Sequence, residues 1–242
     1  MKFIICNDYS ELSKKAADIF AAKVKGDPQC TLGLATGSTP VGTYRELIER
    51  FKKGELDFSG VTTFNLDEYY PIDNSNPQSY HYFMQKNLFS HINIDPEKIH
   101  IPNGNSGNSE MHCKEYDAQL AENGGVDLML LGIGENGHIG FNEPAEEFIT
   151  GTHIVTLTEN TIDANSRFFK NRDEVPRQAI SMGMASIIAF SKEIVLLASG
   201  KNKFNAVNRL KDDKITSRVP STLLKLHPNV TVICDKAAYY GK

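Results

Sequence analysis

The chain has 242 residues, with 26 Lys and Arg against 30 Asp and Glu, a formal net charge of -4 and a pI near 6.0. This length is enough to bury a sizeable core, and the slight negative charge argues against nucleic acid as a partner. The longest apolar runs are too short for a membrane span or a secretory signal, so we expect a cytoplasmic protein without membrane contact. The four cysteines lie far apart and form no Cys-x-x-Cys pair, which predicts neither a disulfide framework nor a zinc site.

Short apolar runs alternate with stretches of helical spacing, which is typical of βαβ units. The predicted strands are residues 31–35, 61–66, 98–101, 126–131, 194–198 and 230–234. The predicted helices are residues 40–53, 78–89, 109–123 and 201–210. We therefore predict an α/β fold with a single open, mostly parallel Rossmann-like sheet and helices on both of its faces.

No linker rich in Pro, Gly or Ser divides the chain, so residues 1–242 are expected to form one domain. Residues 158–177 differ from the rest because polar, charged and aromatic residues mix there without clear periodicity. A mobile lid over a site and an ordinary surface excursion both fit this composition.

The first predicted strand leads through Gly37, Ser38 and Thr39 into a helix. Backbone N–H groups and hydroxyls at a helix amino terminus suit a phosphate group, although a plain helix cap is the alternative interpretation. The sequence is neither a Walker loop nor a dinucleotide fingerprint. Lys203, at the start of the last predicted helix, and Arg167, within residues 158–177, are cations that would complete a phosphate clamp. In isolation, each is typical of a solvated surface.

Two acids, Asp67 and Glu68, follow the second predicted strand. Neighbouring residues on a strand point to opposite faces, so at most one of them is expected to face a shared cleft as a general base. The alternative is an acid that stabilises the amino terminus of a helix.

Residues 132–144 place Asn136, His138 and Glu143 in a glycine-rich turn after the apolar run 126–131. Ligands of open α/β sheets bind beyond the carboxyl ends of such strands. An imidazole whose tautomer is fixed by Asn136 can give and take protons at cellular pH. His138, Asp67 and Glu143 are also possible metal ligands, but their spacing matches no standard zinc pattern, so we predict no metal.

Taken together, residues 34–40, 65–69, 131–144, 164–169 and 226–228 closely resemble the glucosamine-6-phosphate deaminase family, and the resemblance spans nearly the whole chain. It implies a reversible conversion of glucosamine 6-phosphate and water into fructose 6-phosphate and ammonia, without a cofactor. The only partner implied beyond a possible small homo-oligomer is this small phosphosugar.

The resemblance also implies roles for single residues. Asp67 would move a proton between carbons 2 and 1 of the opened sugar. His138 would act on the ring oxygen with help from Glu143 and Asn136. The phosphate would rest on the backbone and hydroxyls of Ser38 and Thr39 and on the two cations, Lys203 and Arg167.

The chain departs from the family pattern at two positions. Asn136 stands where some members carry Asp, so charge support for the imidazole would have to come from Glu143. Val155 stands where members activated by N-acetylglucosamine 6-phosphate carry a lysine, and the carboxyl-terminal tail is shorter. We therefore expect weak or absent activation by that compound, and a monomer or small assembly.

Three other functions are weighed against the deaminase. A phosphosugar lactonase would share the fold, the phosphate loop and a histidine, but the Asp67-Glu68-Tyr69 sequence favours the deaminase. The sugar-binding half of a repressor would need an amino-terminal DNA-binding domain, for which we expect no room before Thr31. A purely structural protein would give no reason for Asp67, His138 and Glu143 to stand at strand ends.

Overall fold

The computed structural model describes residues 1–166, 169 and 171–242. The described part of the chain forms ten strands: β1 Lys2–Cys6, β2 Thr31–Leu34, β3 Thr62–Asn65, β4 Asp67–Tyr70, β5 Ile99–His100, β6 Leu128–Gly132, β7 His153–Thr156, β8 Gln178–Ser181, β9 Ile194–Ala198 and β10 Val230–Asp235. It forms eight α-helices: α1 Tyr9–Gly26, α2 Val41–Lys52, α3 Tyr80–Asn87, α4 Ser109–Glu122, α5 Glu159–Ser166, α6 Met184–Phe190, α7 Phe204–Leu210 and α8 Lys236–Tyr240. Short 3-10 turns lie at Phe89–His91, Pro96–Lys98, Arg172–Glu174, Lys201–Lys203 and Pro220–Leu226.

Seven strands form the main sheet in the order β1-β10-β9-β6-β2-β3-β5, and every pairing in it is parallel. Alternate residues of β6 serve two separate cores. Leu128 and Leu130 pack on the side of α1, α2 and α3, whereas Met129 and Leu131 pack on the side of α4, α6, α7 and α8. A sheet covered on both faces explains the continuous apolar runs in the sequence. The predicted parallel α/β sheet is confirmed.

A second sheet, which we did not predict, holds three antiparallel strands in the order β4-β8-β7. The prediction of a single sheet is wrong in this respect. The strand β4 consists of two acids and two tyrosines, and the four residues of β8 are Gln, Ala, Ile and Ser, so neither shows the alternation that indicates a half-buried strand. Helix α1 was missed as well, although Asp8 caps it and Leu12, Ala16 and Phe20 bury one face.

One buried tyrosine ties α4 to the carboxyl ends of two strands. The hydroxyl of Tyr116 lies 2.7 Å from the carbonyl oxygen of Asn65 in β3 and 3.1 Å from that of His100 in β5. The side chain is 1% exposed, so these carbonyl groups have little access to water. The hydroxyl therefore holds β3 in place immediately before the chain turns into β4.

Tyr116→Phe removes this hydroxyl and leaves buried carbonyl oxygens without a donor. We expect the free energy of unfolding to fall by about 1–2 kcal/mol. Urea denaturation measures the change, with Tyr240→Phe, at an exposed position, as the matched control. Equal stability of the two variants would contradict this account of Tyr116.

Candidate functional site

Asp67 occupies the junction between the two sheets. The main-sheet strand β3 ends at Asn65, and Asp67 begins β4 opposite Ser181 of β8. The side chain is only 6% exposed, and a Cβ atom added at Gly140 would lie 3.1 Å from its Oδ2 atom. Residues 132–144 therefore pass directly over this carboxyl.

The Asp67 carboxyl is buried without a donor: among the described residues, none gives it a hydrogen bond. Burial, reinforced by the nearby charge of Glu68, raises the pKa of this carboxyl to about 8. A carboxylate that is poorly solvated is a stronger base than one in water. This environment suits a group that removes a proton from carbon.

The Glu68 side chain points away from the Asp67 carboxyl and has a structural role. Its carboxylate accepts hydrogen bonds from the backbone N–H groups of Tyr69, Tyr80 and His81 at 2.8–2.9 Å. Two of these groups belong to the first turn of α3, so Glu68 stabilises the amino terminus of that helix. The helix-terminus interpretation of the acid pair is thus realised by Glu68, and Asp67 stays the candidate general base.

The His138 imidazole lies against the backbone of its own turn. A Cβ atom added at Gly134 would overlap the ring, so only glycine leaves room for the imidazole there. The turn is closed by a hydrogen bond from the Gly134 N–H to the His138 carbonyl oxygen at 2.9 Å. The glycines of this segment therefore set the position of the ring as well as the path of the chain.

Glu143, and not Asn136, contacts the imidazole. His138 Nδ1 lies 3.2 Å from Glu143 Oε1, which is ion-pair distance, although the ring N–H is not aligned for a linear hydrogen bond. The predicted contact of Asn136 with a ring nitrogen is not formed in the described structure. Its Oδ1 instead accepts from the His138 backbone N–H, and its Nδ2 donates to Glu143 Oε2 at 2.6 Å.

The Glu143 carboxylate is held in its ionised form. Burial opposes ionisation, but contacts with His138, Asn136 and Thr161 outweigh it and bring the pKa of Glu143 below its ordinary value. The negative charge that Asn136 lacks is therefore present beside the imidazole.

The loop before α2 offers donors at a helix amino terminus. Gly37 has a φ of +94°, a backbone conformation that favours glycine, and α2 starts at Val41 directly after Pro40. In the described part of the chain, the backbone N–H groups of Gly37, Ser38 and Thr39 donate to no other group. This leaves them available to an anion.

A cleft of about 420 Å³ opens beside this loop and includes residues that the sequence analysis missed. It is lined by Tyr9, Ser38, Thr39, Val41, Arg45 and Ser199. The Tyr9 hydroxyl contacts the carbonyl oxygens of Ser38 and Thr39 and accepts from the Gly42 N–H, so α1 fixes the loop. Tyr9 was missed together with α1, whereas Arg45 could have been found as a cation one turn into the helix that follows the loop.

Of the two cations predicted to bind phosphate, only Lys203 lies in the part of the chain that the structure describes. Lys203 lies half-buried at the start of α7, four residues after the cleft residue Ser199. Burial lowers the pKa of its ammonium group, and the nearby Glu135 opposes this effect. Arg167 lies outside the described residues. Over the described residues, no three His, Cys, Asp or Glu side chains are grouped as metal ligands, and no helix is long and apolar enough to span a membrane.

Residues 7–233 match the model of the glucosamine-6-phosphate isomerases/6-phosphogluconolactonase family. The chain belongs to this family. It is 57% identical to a glucosamine-6-phosphate deaminase of Thermoanaerobacter pseudethanolicus over 98% of this chain and 94% of that protein. A solved monomeric glucosamine-6-phosphate deaminase superposes with a TM-score of 0.96 at 45% identity and covers both chains completely. The predicted resemblance is confirmed.

The fold is also shared with 6-phosphogluconolactonases. The enzyme of Trypanosoma cruzi superposes with a TM-score of 0.78, covering 99% of this chain and 96% of its own, but only 19% of the residues are identical. At this identity the likeness extends to the fold alone.

Asp67→Asn should make the fold less sensitive to pH. The unfolded carboxyl ionises near its ordinary pKa of 3.8, whereas the folded one keeps its proton up to about pH 8. Its contribution to stability is therefore complete below pH 4 and is lost as the pH rises through 8. Because an amide does not ionise, the variant should gain stability over the parent between pH 5 and pH 8, on the order of 2–5 kcal/mol.

Urea denaturation at several pH values measures this gain. The control is Glu122→Gln, at an exposed acid on the end of α4. A stability difference for Asp67→Asn that does not change with pH would contradict the assigned burial of the carboxylate.

Proposed function

We infer that the chain is a glucosamine-6-phosphate deaminase, which converts glucosamine 6-phosphate and water reversibly into fructose 6-phosphate and ammonia. The observation that carries this inference is the Asp67 carboxyl, buried and without a hydrogen-bond donor in the described structure, beneath the turn that carries His138. The family membership and the 57% identity to an enzyme of that name support it.

Ring opening is assigned to the His138–Glu143 pair. The imidazole transfers the proton between the hydroxyl on carbon 1 and the ring oxygen, which leaves as the hydroxyl of carbon 5. Glu143, 3.2 Å from Nδ1, stabilises the imidazole when it is positively charged. Asn136 supports the reaction indirectly, because it holds the other carboxylate oxygen at 2.6 Å.

Proton transfer along the opened sugar is assigned to Asp67. The carboxylate takes the proton from carbon 2, whose acidity is raised by the neighbouring aldehyde at carbon 1, while the aldehyde oxygen takes up the proton that the ammonium group gives up, so that an enolamine forms. Asp67 then delivers its proton to carbon 1, and a carbon–nitrogen double bond at carbon 2 replaces the carbon–carbon double bond. The imine formed at carbon 2 then adds water and releases ammonia. The substrate's own ammonium group brings a positive charge next to Asp67 and so favours the ionised form of a carboxyl that is otherwise neutral near pH 7.

The phosphate is assigned to the loop of Gly37, Ser38 and Thr39, with Lys203 and Arg167 as cations. Its distance from carbons 1 and 2 lets binding free energy from the far end of the substrate align the reacting atoms. The assigned steps use glucosamine 6-phosphate, water and these side chains.

A lactonase reaction would leave the buried Asp67 carboxyl of this site without a role. Ester hydrolysis requires a base that activates water, but it moves no proton between carbons and gives no role to a second buried carboxyl such as Asp67. The relatives at 52–57% identity are glucosamine-6-phosphate deaminases, which also favours deamination.

We further propose one domain that acts in the cytoplasm as a monomer, with residues 158–177 as a lid. The solved relative with a TM-score of 0.96 is monomeric.

Val155 offers no charge to an effector's phosphate, so N-acetylglucosamine 6-phosphate should leave the substrate saturation curve hyperbolic and unshifted. The lid assignment is supported by the contact of Thr161, in α5, with Glu143.

Incubation of the purified chain with glucosamine 6-phosphate should release ammonia and fructose 6-phosphate in equal amounts. Asp67→Asn should lower kcat by at least about a hundredfold, the lower end of general acid/base contributions. The matched control Asp57→Asn, at a carboxyl in an exposed turn, should retain full activity. Hydrolysis of 6-phosphogluconolactone without ammonia release from the amino sugar would overturn the assignment in favour of the lactonase.

A further inference from the structure

The Glu143 carboxylate is held by three side chains, and one of them comes from outside the turn of residues 132–144. Asn136 Nδ2 occupies Oε2, whereas Oε1 contacts both His138 Nδ1 at 3.2 Å and the hydroxyl of Thr161 at 3.1 Å. Thr161 belongs to α5, 18 residues further along the chain. The oxygen that faces the imidazole is therefore also held by a helix of another segment.

The direction of this hydrogen bond follows from the neighbouring groups. An ionised carboxylate only accepts hydrogen bonds, so the Thr161 hydroxyl must donate its single hydrogen to Glu143. The Thr158 hydroxyl, 2.9 Å away, then donates to Thr161 Oγ1 and accepts from the Thr161 backbone N–H at 3.2 Å. The chain of hydrogen bonds runs from Thr158 through Thr161 to Glu143.

We propose that Thr161 is a positioning residue for ring opening, which fixes Glu143 Oε1 against the imidazole of His138. The proposal rests on the deaminase function proposed above. The last torsion of a glutamate side chain is broad, and Asn136 holds only the other oxygen. Without the Thr161 hydroxyl, the carboxylate turns away from Nδ1 and ceases to stabilise the charged imidazole.

The test compares Thr161→Val, which keeps the branched shape without the hydroxyl, with Thr161→Ser, which keeps the hydroxyl. Loss of one hydrogen bond to a charged group should lower kcat for glucosamine 6-phosphate by about ten- to a hundredfold in the valine variant. The serine variant should stay within about twofold of the parent. Thr156→Val, the same substitution at an exposed position at the end of β7, is the matched control.

Two further measurements separate positioning from a general structural effect. The KM, and the affinity for the open-chain 2-amino-2-deoxyglucitol 6-phosphate, should not change, because neither depends on opening a ring. The hydrogen bond from Thr161 is one of the contacts that lower the pKa of Glu143. The acid limb of kcat against pH should therefore move to higher pH in the valine variant and stay in place in the serine variant.

Several results would overturn the proposal: an unchanged kcat with an unchanged acid limb in Thr161→Val, equal losses in the valine and serine variants, or a rise in KM alone. If the valine variant does not fold, Thr161→Ala gives the same comparison. Failure of the parent enzyme to deaminate glucosamine 6-phosphate would refute the proposed function instead. In that case, NMR titration of the ¹³C-labelled Glu143 carboxyl in parent and variant still decides whether Thr161 holds it.

Discussion

Burial of the Asp67 carboxyl is the constraint on which the rest of the site depends. Removing a carboxylate from water without a donor costs free energy, and here it raises the pKa to about 8. The surrounding structure has to hold the group in place against this cost. It does so with backbone: β4 pairs with β8 opposite Ser181, and the turn at Gly140 covers the side chain. The basicity assigned to Asp67 and the existence of the second sheet are thus two aspects of one arrangement.

Strand geometry places the two adjacent acids, Asp67 and Glu68, in different environments with different roles. Asp67 is left without a donor among the described residues, whereas Glu68 receives three backbone hydrogen bonds and anchors α3. The Glu143 carboxylate differs from that of Asp67, because contacts with His138, Asn136 and Thr161 stabilise its negative charge. One site therefore contains a carboxyl with a raised pKa and another with a lowered pKa, which is the difference that two successive proton transfers with separate roles require.

The parallel sheet could be predicted from the sequence because its strands are buried on both faces. Each such strand is a continuous apolar run, which can be identified without knowing which strands it pairs with. The sequence also predicted the loop of residues 37–39 and the turn of residues 132–144, since glycines and polar groups directly after such runs mark the edge where ligands bind. It did not predict the second sheet, because its strands are short and mixed in polarity. The sequence also did not reveal that Glu143, and not Asn136, contacts the imidazole of His138. The amide oxygen of Asn136 is already used within the turn, because it accepts a hydrogen bond from the backbone N–H of His138.

Asp67 is the group that we propose carries the proton between carbons 2 and 1. The most direct measurement is exchange of the carbon 1 hydrogen of fructose 6-phosphate with solvent deuterium in the presence of ammonium, followed by proton NMR. The parent enzyme and Glu143→Gln should both catalyse exchange at a single carbon 1 position, whereas Asp67→Asn should not. Exchange by Asp67→Asn at the rate of the parent enzyme would contradict this role.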